Sequence, residues 1–261
     1  MRRVFLVAGV LVVLAGLVVF VVVRSGGSRP VTVDEAKERV ASTVPVGAPV
    51  AGVPGAGVYL YAGSGREELD KPPKQQAQGP TMPATVTLEA DGCWTFRIDY
   101  STGHWQSWRY CNRDGALVEL GGETFERWDF GFFTVDNVST FVCEDAVVVR
   151  PGMTAGARWE QRCTGTSTEV GGPTGNAGPF TYVGPEVVDV GGTPVPAHRF
   201  HGERVLSGAQ SGTETTEQWF AVADGMPLRN ERRIEVRSDS PIGTVTYTET
   251  GDFTLASLTP A

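Results

Sequence analysis

The strongest constraint on the fold is a β-strand pattern that runs from Thr85 to the end of the chain. Runs of β-branched and aromatic residues alternate there with polar residues, and glycine interrupts them about every 10–15 residues. Parallel strands need crossover helices, and this part of the sequence has no helical pattern. We therefore predict a mainly β fold, a curved antiparallel meander that forms a half-barrel or an open barrel. The predicted strands lie near residues 57–62, 84–90, 93–100, 104–111, 116–127, 131–143, 144–149, 156–169, 180–190, 194–206, 213–223, 228–238 and 242–255.

One short soluble helix is predicted before the strands, near residues 33–41. Thr32 and Glu35 have the spacing of a capping box, and acidic residues occupy the first turn. The stretch PVGAPVAGVPGAG follows, and its prolines and glycines prevent regular structure. A short strand, GVYLYA, comes next. The segment after it, GSGREELDKPPKQQAQGPTMP, is predicted to be a charged loop.

The beginning of the chain contains a long apolar segment. Residues 4–23 are twenty consecutive apolar or glycine residues, and a helix of that length spans about 30 Å, the thickness of the hydrocarbon core of a bilayer. A cleaved signal peptide has a shorter apolar region and a small-x-small cleavage site, whereas this segment ends at Arg24. We predict one uncleaved transmembrane helix, with a cleaved signal or a buried core helix as alternatives. The predicted organisation is an anchor and juxtamembrane linker (1–29), a short helix and Pro/Gly linker (30–56), and an exported antiparallel β domain (57–261).

The cysteines and the basic residues predict on which side of the membrane the β domain lies. The four cysteines form an even set within that domain, as is typical of disulfides in an oxidising compartment. Basic residues flank the apolar segment on both sides and slightly favour a cytoplasmic N-terminus. We predict a single-pass protein of the cell membrane, with its C-terminal domain outside the cytoplasm.

Charge and motifs exclude several classes of function. Four of the 22 basic residues and none of the 30 acidic residues precede residue 30, so the rest of the chain has a formal charge of −12. That charge disfavours nonspecific binding to nucleic acid or to anionic lipid headgroups. The sequence contains no nucleophile elbow, phosphate loop, dinucleotide fingerprint or zinc-protease motif. We expect no catalytic residues, no metal and no cofactor.

The first cysteine pair fits a hairpin. A turn at residues 101–103 places Cys93 opposite Cys111 and Tyr100 opposite His104. The register puts five aromatic residues on one face and mostly polar residues on the other. His104 lies beside the turn without an obvious partner. We predict a disulfide between Cys93 and Cys111.

The second cysteine pair fits a hairpin in the same way. A turn centred on Met153 places Cys143 opposite Cys163 and Val147 opposite Trp159. We predict a disulfide between Cys143 and Cys163. A zinc or redox site is the weaker alternative for the four cysteines, because the sequence has neither a CxxC motif nor clustered histidines.

Candidate ligand-binding residues come from two features. The aromatic face of the first hairpin is most simply core packing, and the alternative is a wall of an apolar ligand cavity. Arg232 falls on the same strand face as apolar neighbours, so it needs either an acidic partner or a ligand anion. The candidates are Trp94, Phe96, Trp108, Tyr110 and Arg232.

Three segments between residues 150 and 250 have a recognisable pattern: PGMTAGARWEQRCTG, YVGPEVVDVGGTPVPAHRFHGE and TTEQWFAVADGMPLRNERRIE. These segments resemble bacterial extracytoplasmic β-meander proteins. They are similar to the lipoprotein-carrier superfamily, with its curved antiparallel half-barrel, and to related domains of unknown function. The resemblance implies binding of lipids or apolar groups in the half-barrel, or a role as an envelope sensor. It implies no catalytic residues.

Three functional hypotheses follow. The favoured one is a membrane-anchored, extracytoplasmic, noncatalytic protein that binds a lipid or another apolar envelope molecule in a cavity. The second is a protein-interaction or sensory module that has an envelope protein partner and an exposed apolar patch, with the loop REELDKPPKQQ as one candidate surface. The third is a hydrolase whose site is not recognisable from sequence motifs.

Overall fold

The computed structural model describes residues 28–41, 52–89 and 92–261. These ranges contain one helix, α1 (Val33–Ala41), and thirteen strands. The strands are β1 (Gly57–Asp70), β2 (Pro73–Gln78), β3 (Thr81–Leu88), β4 (Cys93–Ser101), β5 (His104–Arg113), β6 (Ala116–Asp129), β7 (Thr134–Val149), β8 (Arg158–Ser167), β9 (Thr174–Val190), β10 (Thr193–Gly208), β11 (Gln210–Ala221), β12 (Pro227–Ser240) and β13 (Gly243–Leu255).

The strands form one closed antiparallel barrel. From β3 to β13, each strand pairs with its neighbours in sequence order. The last strand, β13, then pairs with β1 from Tyr61–Leu255 to Leu69–Tyr247. On the other side of β1, β3 pairs with the first half of β1 and β2 pairs with its second half. Strands β2 and β3 therefore share one position, and the ring of thirteen strands has twelve positions. The predicted half-barrel or open barrel is therefore wrong, because the pairing between β13 and β1 removes both free edges.

The predicted charged loop after residue 62 is also wrong. The structure extends β1 to Asp70 and pairs it with β2. Strands are usually recognised by apolar residues that alternate with polar ones, and this segment lacks that pattern because its inward-facing residues are themselves polar. Glu67 is fully buried inside the barrel, and Gln76 and Gln78 of β2 are buried beside it.

The predicted membrane anchor, residues 4–23, lies outside the described residues. Among the residues that the structure describes, no helix is long and apolar enough to cross a membrane. The short helix α1 is confirmed, and so is its capping box: the Thr32 backbone N–H donates to Glu35 Oε2 at 2.9 Å, and the Glu35 N–H donates to Thr32 Oγ1 at 3.2 Å. The helix lies against β1 and β3, and its Ala36 is fully buried.

Both predicted disulfides are confirmed, with small changes in register. Cys93 pairs with Cys111 and Cys143 pairs with Cys163, and each pair is bonded. In the first hairpin, Ser101 rather than Tyr100 lies opposite His104, because an irregularity follows Asp99.

The second hairpin also departs from the predicted register. The β7–β8 pairing ends at Glu144–Arg162, and Val147 is not paired with Trp159. The Val147 carbonyl instead accepts a hydrogen bond from the indole Nε1 of Trp159 at 2.7 Å.

The barrel has two unlike halves. We call the end with the β1–β2, β6–β7, β8–β9, β10–β11 and β12–β13 connections the upper end, and the opposite end the lower end. The lower half is filled by a continuous apolar core, and the upper half contains polar side chains around a cavity. The largest core side chains are Tyr59, Tyr61, Trp94, Phe96, Tyr110, Trp159, Phe180, Tyr182, Phe200, Trp219, Phe220 and Phe253.

Candidate binding cavity

A cavity of about 560 Å³ occupies the upper half of the barrel interior. This volume lies within the range of about 300–1,000 Å³ that is typical of small-molecule sites. The cavity extends from a charged layer above the apolar core up to the turns of the upper end. Residues from β1 and from every strand from β5 to β13 line it, so its shape depends on the closure of the ring.

The upper wall of the cavity is largely apolar. The β6–β7 turn contributes Phe130 and Phe133, and the β12–β13 turn contributes Ile242. Trp128 packs edge-to-face against Tyr247, with ring centroids 6.3 Å apart. Further apolar lining residues are Leu69, Val135, Phe141, Val170, Leu206, Ile234, Val236 and Val245.

One side of the charged layer is organised around Arg232. Its guanidinium forms a buried ion pair with Glu249, and it also donates to Gln106 Oε1 at 2.7 Å. The ring of Tyr100 lies 4.1 Å from the guanidinium carbon. Glu249 accepts further hydrogen bonds from Gln78 at 2.7 Å and from the Tyr247 hydroxyl at 3.0 Å.

His104 belongs to the same network. Its Nδ1 lies 3.1 Å from Glu67 Oε2, and both side chains are fully buried. Burial disfavours the imidazolium, but the carboxylates of Glu67 and Glu249 outweigh that effect and raise the pKa of His104 to about 9. His104 is therefore cationic at neutral pH. It has partners, contrary to the sequence-based expectation.

The other side of the charged layer is organised around Arg204. Arg204 Nη2 donates to Gln161 Oε1 at 2.5 Å and lies 3.7 Å from Glu119 Oε2. Glu214 lies opposite Arg204 in the β10–β11 register, and its Oε2 accepts a hydrogen bond from Asn176 Nδ2 at 2.8 Å. Burial, together with the nearby charge of Glu214, raises the pKa of Glu119 although Arg204 opposes this.

Glu126 completes the acidic lining. It lies opposite His104 in the β5–β6 register and accepts a hydrogen bond from Asn137 Nδ2 at 2.9 Å. Burial in the cavity wall raises the pKa of Glu126 to about 7, although the charge of His104 opposes the shift. At neutral pH this carboxyl is thus close to its titration midpoint.

A β-bulge in β6 brings both Glu119 and Glu126 to the interior. Side chains of a regular strand alternate, so residues 119 and 126 should face opposite sides. The pairing with β7 shifts between Glu119 and Gly121, and this reverses the alternation. Gly121 has φ +125°, and a Cβ there would lie 2.0 Å from the Phe141 carbonyl oxygen. Two consecutive glycines inside a strand, Gly121 and Gly122, are the sequence feature that could have indicated this bulge.

The structure places the five sequence-predicted ligand residues in three different settings. Trp94, Phe96 and Tyr110 are buried in the lower core, away from the cavity lining. Trp108 is partly buried and lines the cavity. Arg232 lies in the charged layer and has an acidic partner, Glu249. No observation tests ligand binding by these residues.

Sequence reasoning missed most of the polar lining of the cavity. Glu119 and Glu126 were hidden by the bulge, and Arg204 and Glu214 follow no recognisable motif. Cys143 and Cys163 lie close to the Glu119 carboxylate, but in a disulfide they provide no thiolate for a metal. The arrangement can hold a ligand that has a polar end and an apolar end.

Comparison with solved structures found a hypothetical lipoprotein, YmcC from Escherichia coli (K12). It is 12% identical to this chain, the alignment covers 87% of this chain and 98% of that one, and the TM-score is 0.31. A likeness this weak supports no argument about this chain, so the resemblance to the lipoprotein-carrier superfamily stays a prediction. No family model and no curated protein matches the chain.

Proposed function

We propose that the protein is an extracytoplasmic binding protein for a small amphipathic molecule. The observation that carries the proposal is the cavity in the upper half of the barrel, with a charged layer below and an apolar wall above. A ligand with one polar end would place that end on the charged layer and its apolar body against the upper wall. Sites of this kind combine apolar walls with a few polar groups that orient the ligand.

The two disulfides support a location outside the cytoplasm. Cytosolic thiols are kept reduced, whereas structural disulfides persist in oxidising compartments. Within each cysteine pair, the two residues lie directly opposite each other on adjacent antiparallel strands. A surface-exposed envelope protein would place its cavity within reach of lipids and other amphipathic envelope molecules.

A protein-interaction module is the second candidate. The observation that favours it is the exposure of Phe132 (87%) and Ile242 (64%) at the upper end. Exposed apolar side chains that cluster at one end of a domain are typical of contact surfaces. In that case the cavity would have no ligand, and a partner protein would cover its opening.

Native mass spectrometry of the full-length chain, purified from membranes, tests the two candidates. We expect a bound small molecule that is released on unfolding. Val236→Trp would fill the cavity and abolish this extra mass, whereas Arg237→Trp, on the outer face of the same strand, would retain it. A wild-type chain without a small molecule but with a stoichiometric protein partner would overturn the proposal and support the interaction module.

A further inference from the structure

Within the described part of the chain, the charged layer contains more carboxylates than cations. On the Arg232 side the charges balance, because Glu67 and Glu249 face His104 and Arg232. On the Arg204 side they do not. Among the residues that the structure describes, Glu119 and Glu214 share Arg204 as their cation, and Glu126, the remaining carboxyl of the layer, has the neutral Asn137 as its hydrogen-bond donor.

The surplus carboxylates line the cavity rather than the outer surface. Glu119, Glu126 and Glu214 are all lining residues. Carboxylates withdrawn from water need a counter-charge or hydrogen-bond donors. Burial raises the pKa of both Glu119 and Glu126, which is the expected consequence of carboxyls that lack sufficient positive charge.

Asn176 gives an independent indication of a missing donor. Its side chain is buried (8% exposed) and lines the cavity. Its Nδ2 donates to Glu214, and this fixes the orientation of the amide, since a flipped amide would place two oxygens together. The Oδ1 atom has no hydrogen-bond partner among the described residues. Buried acceptors of this kind are normally satisfied, so a donor is expected beside it.

We propose that Glu119, Glu214 and Asn176 form a subsite for a cationic group, an amine or guanidinium, at the polar end of the ligand. The N–H groups of such a cation would donate to the two carboxylates and to Asn176 Oδ1. The inference rests on the proposed function, because it identifies the end of the amphipathic molecule that the charged layer holds.

An anionic end fits the same layer poorly. Arg204 already donates to Gln161 and faces Glu119, and Arg232 donates to Glu249, Tyr100 and Gln106. The Nε of Arg232 has no partner among the described residues, but it belongs to a guanidinium that is already paired with Glu249. An anion would therefore approach carboxylates as closely as it approaches either arginine.

Titration of the full-length chain with three amphiphiles of equal chain length tests the subsite. The probes are dodecylamine, dodecanol and dodecanoate, with the two ionic probes below their micelle concentrations and the alcohol below its solubility limit. Intrinsic tryptophan fluorescence or calorimetry is the readout. Because a charged hydrogen bond in a buried site stabilises binding more than a neutral one, we expect the amine to bind about tenfold or more tightly than the alcohol. Dodecanoate should bind more weakly than either.

Variants connect the preference to the named residues. Glu119→Gln combined with Glu214→Gln should remove about tenfold or more of the amine affinity and weaken dodecanol binding much less, because the alcohol loses no charge–charge attraction. Dodecanol binding thus also reports that the variant is folded. Glu160→Gln, an exposed position on β8, is the control and should bind all three probes like the wild type.

The possible failures are distinguishable. If the alcohol or the carboxylate binds as tightly as the amine, or if the double variant keeps the preference for the amine, the cationic subsite is wrong while the binding function stands. If none of the three probes binds and Val236→Trp changes nothing, the binding function itself fails, and the subsite fails with it.

Discussion

The lower and upper halves of the barrel are built from the same strands but differ in what fills them. In the lower half, aromatic rings pack against each other: Phe180 and Phe200 stack with centroids 5.0 Å apart, and Trp159 meets Phe180 edge-on at 5.7 Å. In the upper half, the same strands direct Arg204, Glu214 and Asn176 into the interior. A single continuous wall therefore surrounds both a solid core and a polar cavity.

This difference suggests that the lower half supplies most of the stability and that the upper half is adapted to binding. Apolar burial contributes about 25 cal/mol per Å², whereas buried charges cost several kcal/mol unless they are paired. The lower half can hold the ring closed, and the upper half can then tolerate charged side chains and empty volume. Substitutions that remove apolar side chains should consequently lower the free energy of unfolding more in the lower half than in the upper half.

The largest expected effect is the removal of a ring from the lower core. Phe200 is fully buried among Trp159, Phe180, Tyr182 and Phe220. Phe200→Ala should lower the free energy of unfolding by about 3–5 kcal/mol, because it leaves a cavity in close-packed surroundings. Urea denaturation followed by tryptophan fluorescence measures the loss.

Leu206→Ala provides the comparison six positions along the same strand. Leu206 is buried but lines the cavity, so fewer packing contacts are lost on its removal. We expect a loss of about 2 kcal/mol or less, at the low end of the range for such changes. Equal losses for the two variants would show that the halves do not differ in packing, and the comparison would fail.

The second prediction compares an ion pair on the inner face of β12 and β13 with one on the outer face of the same two strands. Arg232→Met leaves the Glu249 carboxylate buried without its main partner. We expect destabilisation by about 3–5 kcal/mol, with the charge of His104 limiting the loss. Adding Glu249→Gln should recover about half of it, because the uncompensated charge is then gone. Urea denaturation of the single and double variants measures both values.

The outer pair Arg229–Asp252 is the matched control on β12 and β13. Its atoms lie 3.0 Å apart, and the two side chains are 35% and 53% exposed. Arg229→Met should therefore change the free energy of unfolding by no more than about 1 kcal/mol, since solvent screens exposed pairs. A loss at Arg229 as large as that at Arg232 would contradict the assigned difference between interior and surface charges.

The parts of the fold that depend on residues close in sequence could be predicted. Cys93–Cys111 and Cys143–Cys163 were predicted from register because each pair lies within one hairpin. The capping box of α1 was predicted because it too is local. The main antiparallel strands followed from β-branched and aromatic periodicity.

Closure and the cavity were not predictable in the same way. Closure depends on β1 and β13, which lie far apart in the sequence, and β1 beyond residue 62 has no apolar alternation because Glu67 faces a polar interior. Of the cavity lining, the sequence identified only Trp108, together with Arg232 in the charged layer beneath the cavity. The acidic lining depends on a bulge at Gly121 and on cross-barrel contacts such as Arg204–Glu119.

The last prediction uses pH to probe the upper half alone. The pKa of Glu126 is raised from an ordinary value of 4.5 to about 7 in the folded protein. The folded state thus binds a proton more tightly than the unfolded state, and this stabilisation is present below pH 4.5 and is lost as pH rises through 7. The loss amounts to about 3 kcal/mol. We expect Glu126→Gln to abolish it, as measured by urea denaturation at closely spaced pH values from 4 to about 10.

Two features of the pH profile make this test specific. Glu123→Gln, on the same strand but exposed, should retain the wild-type loss of stability. The raised pKa of His104, about 9 against an ordinary 6.5, predicts a separate loss as pH rises from 6.5 through 9, so Glu126→Gln should keep this later decline. A Glu126→Gln profile that matched the wild type between pH 4.5 and 7 would mean that Glu126 remains well hydrated. In that case the upper cavity would be open to water down to its charged layer, and the contrast between the halves would lie in packing alone.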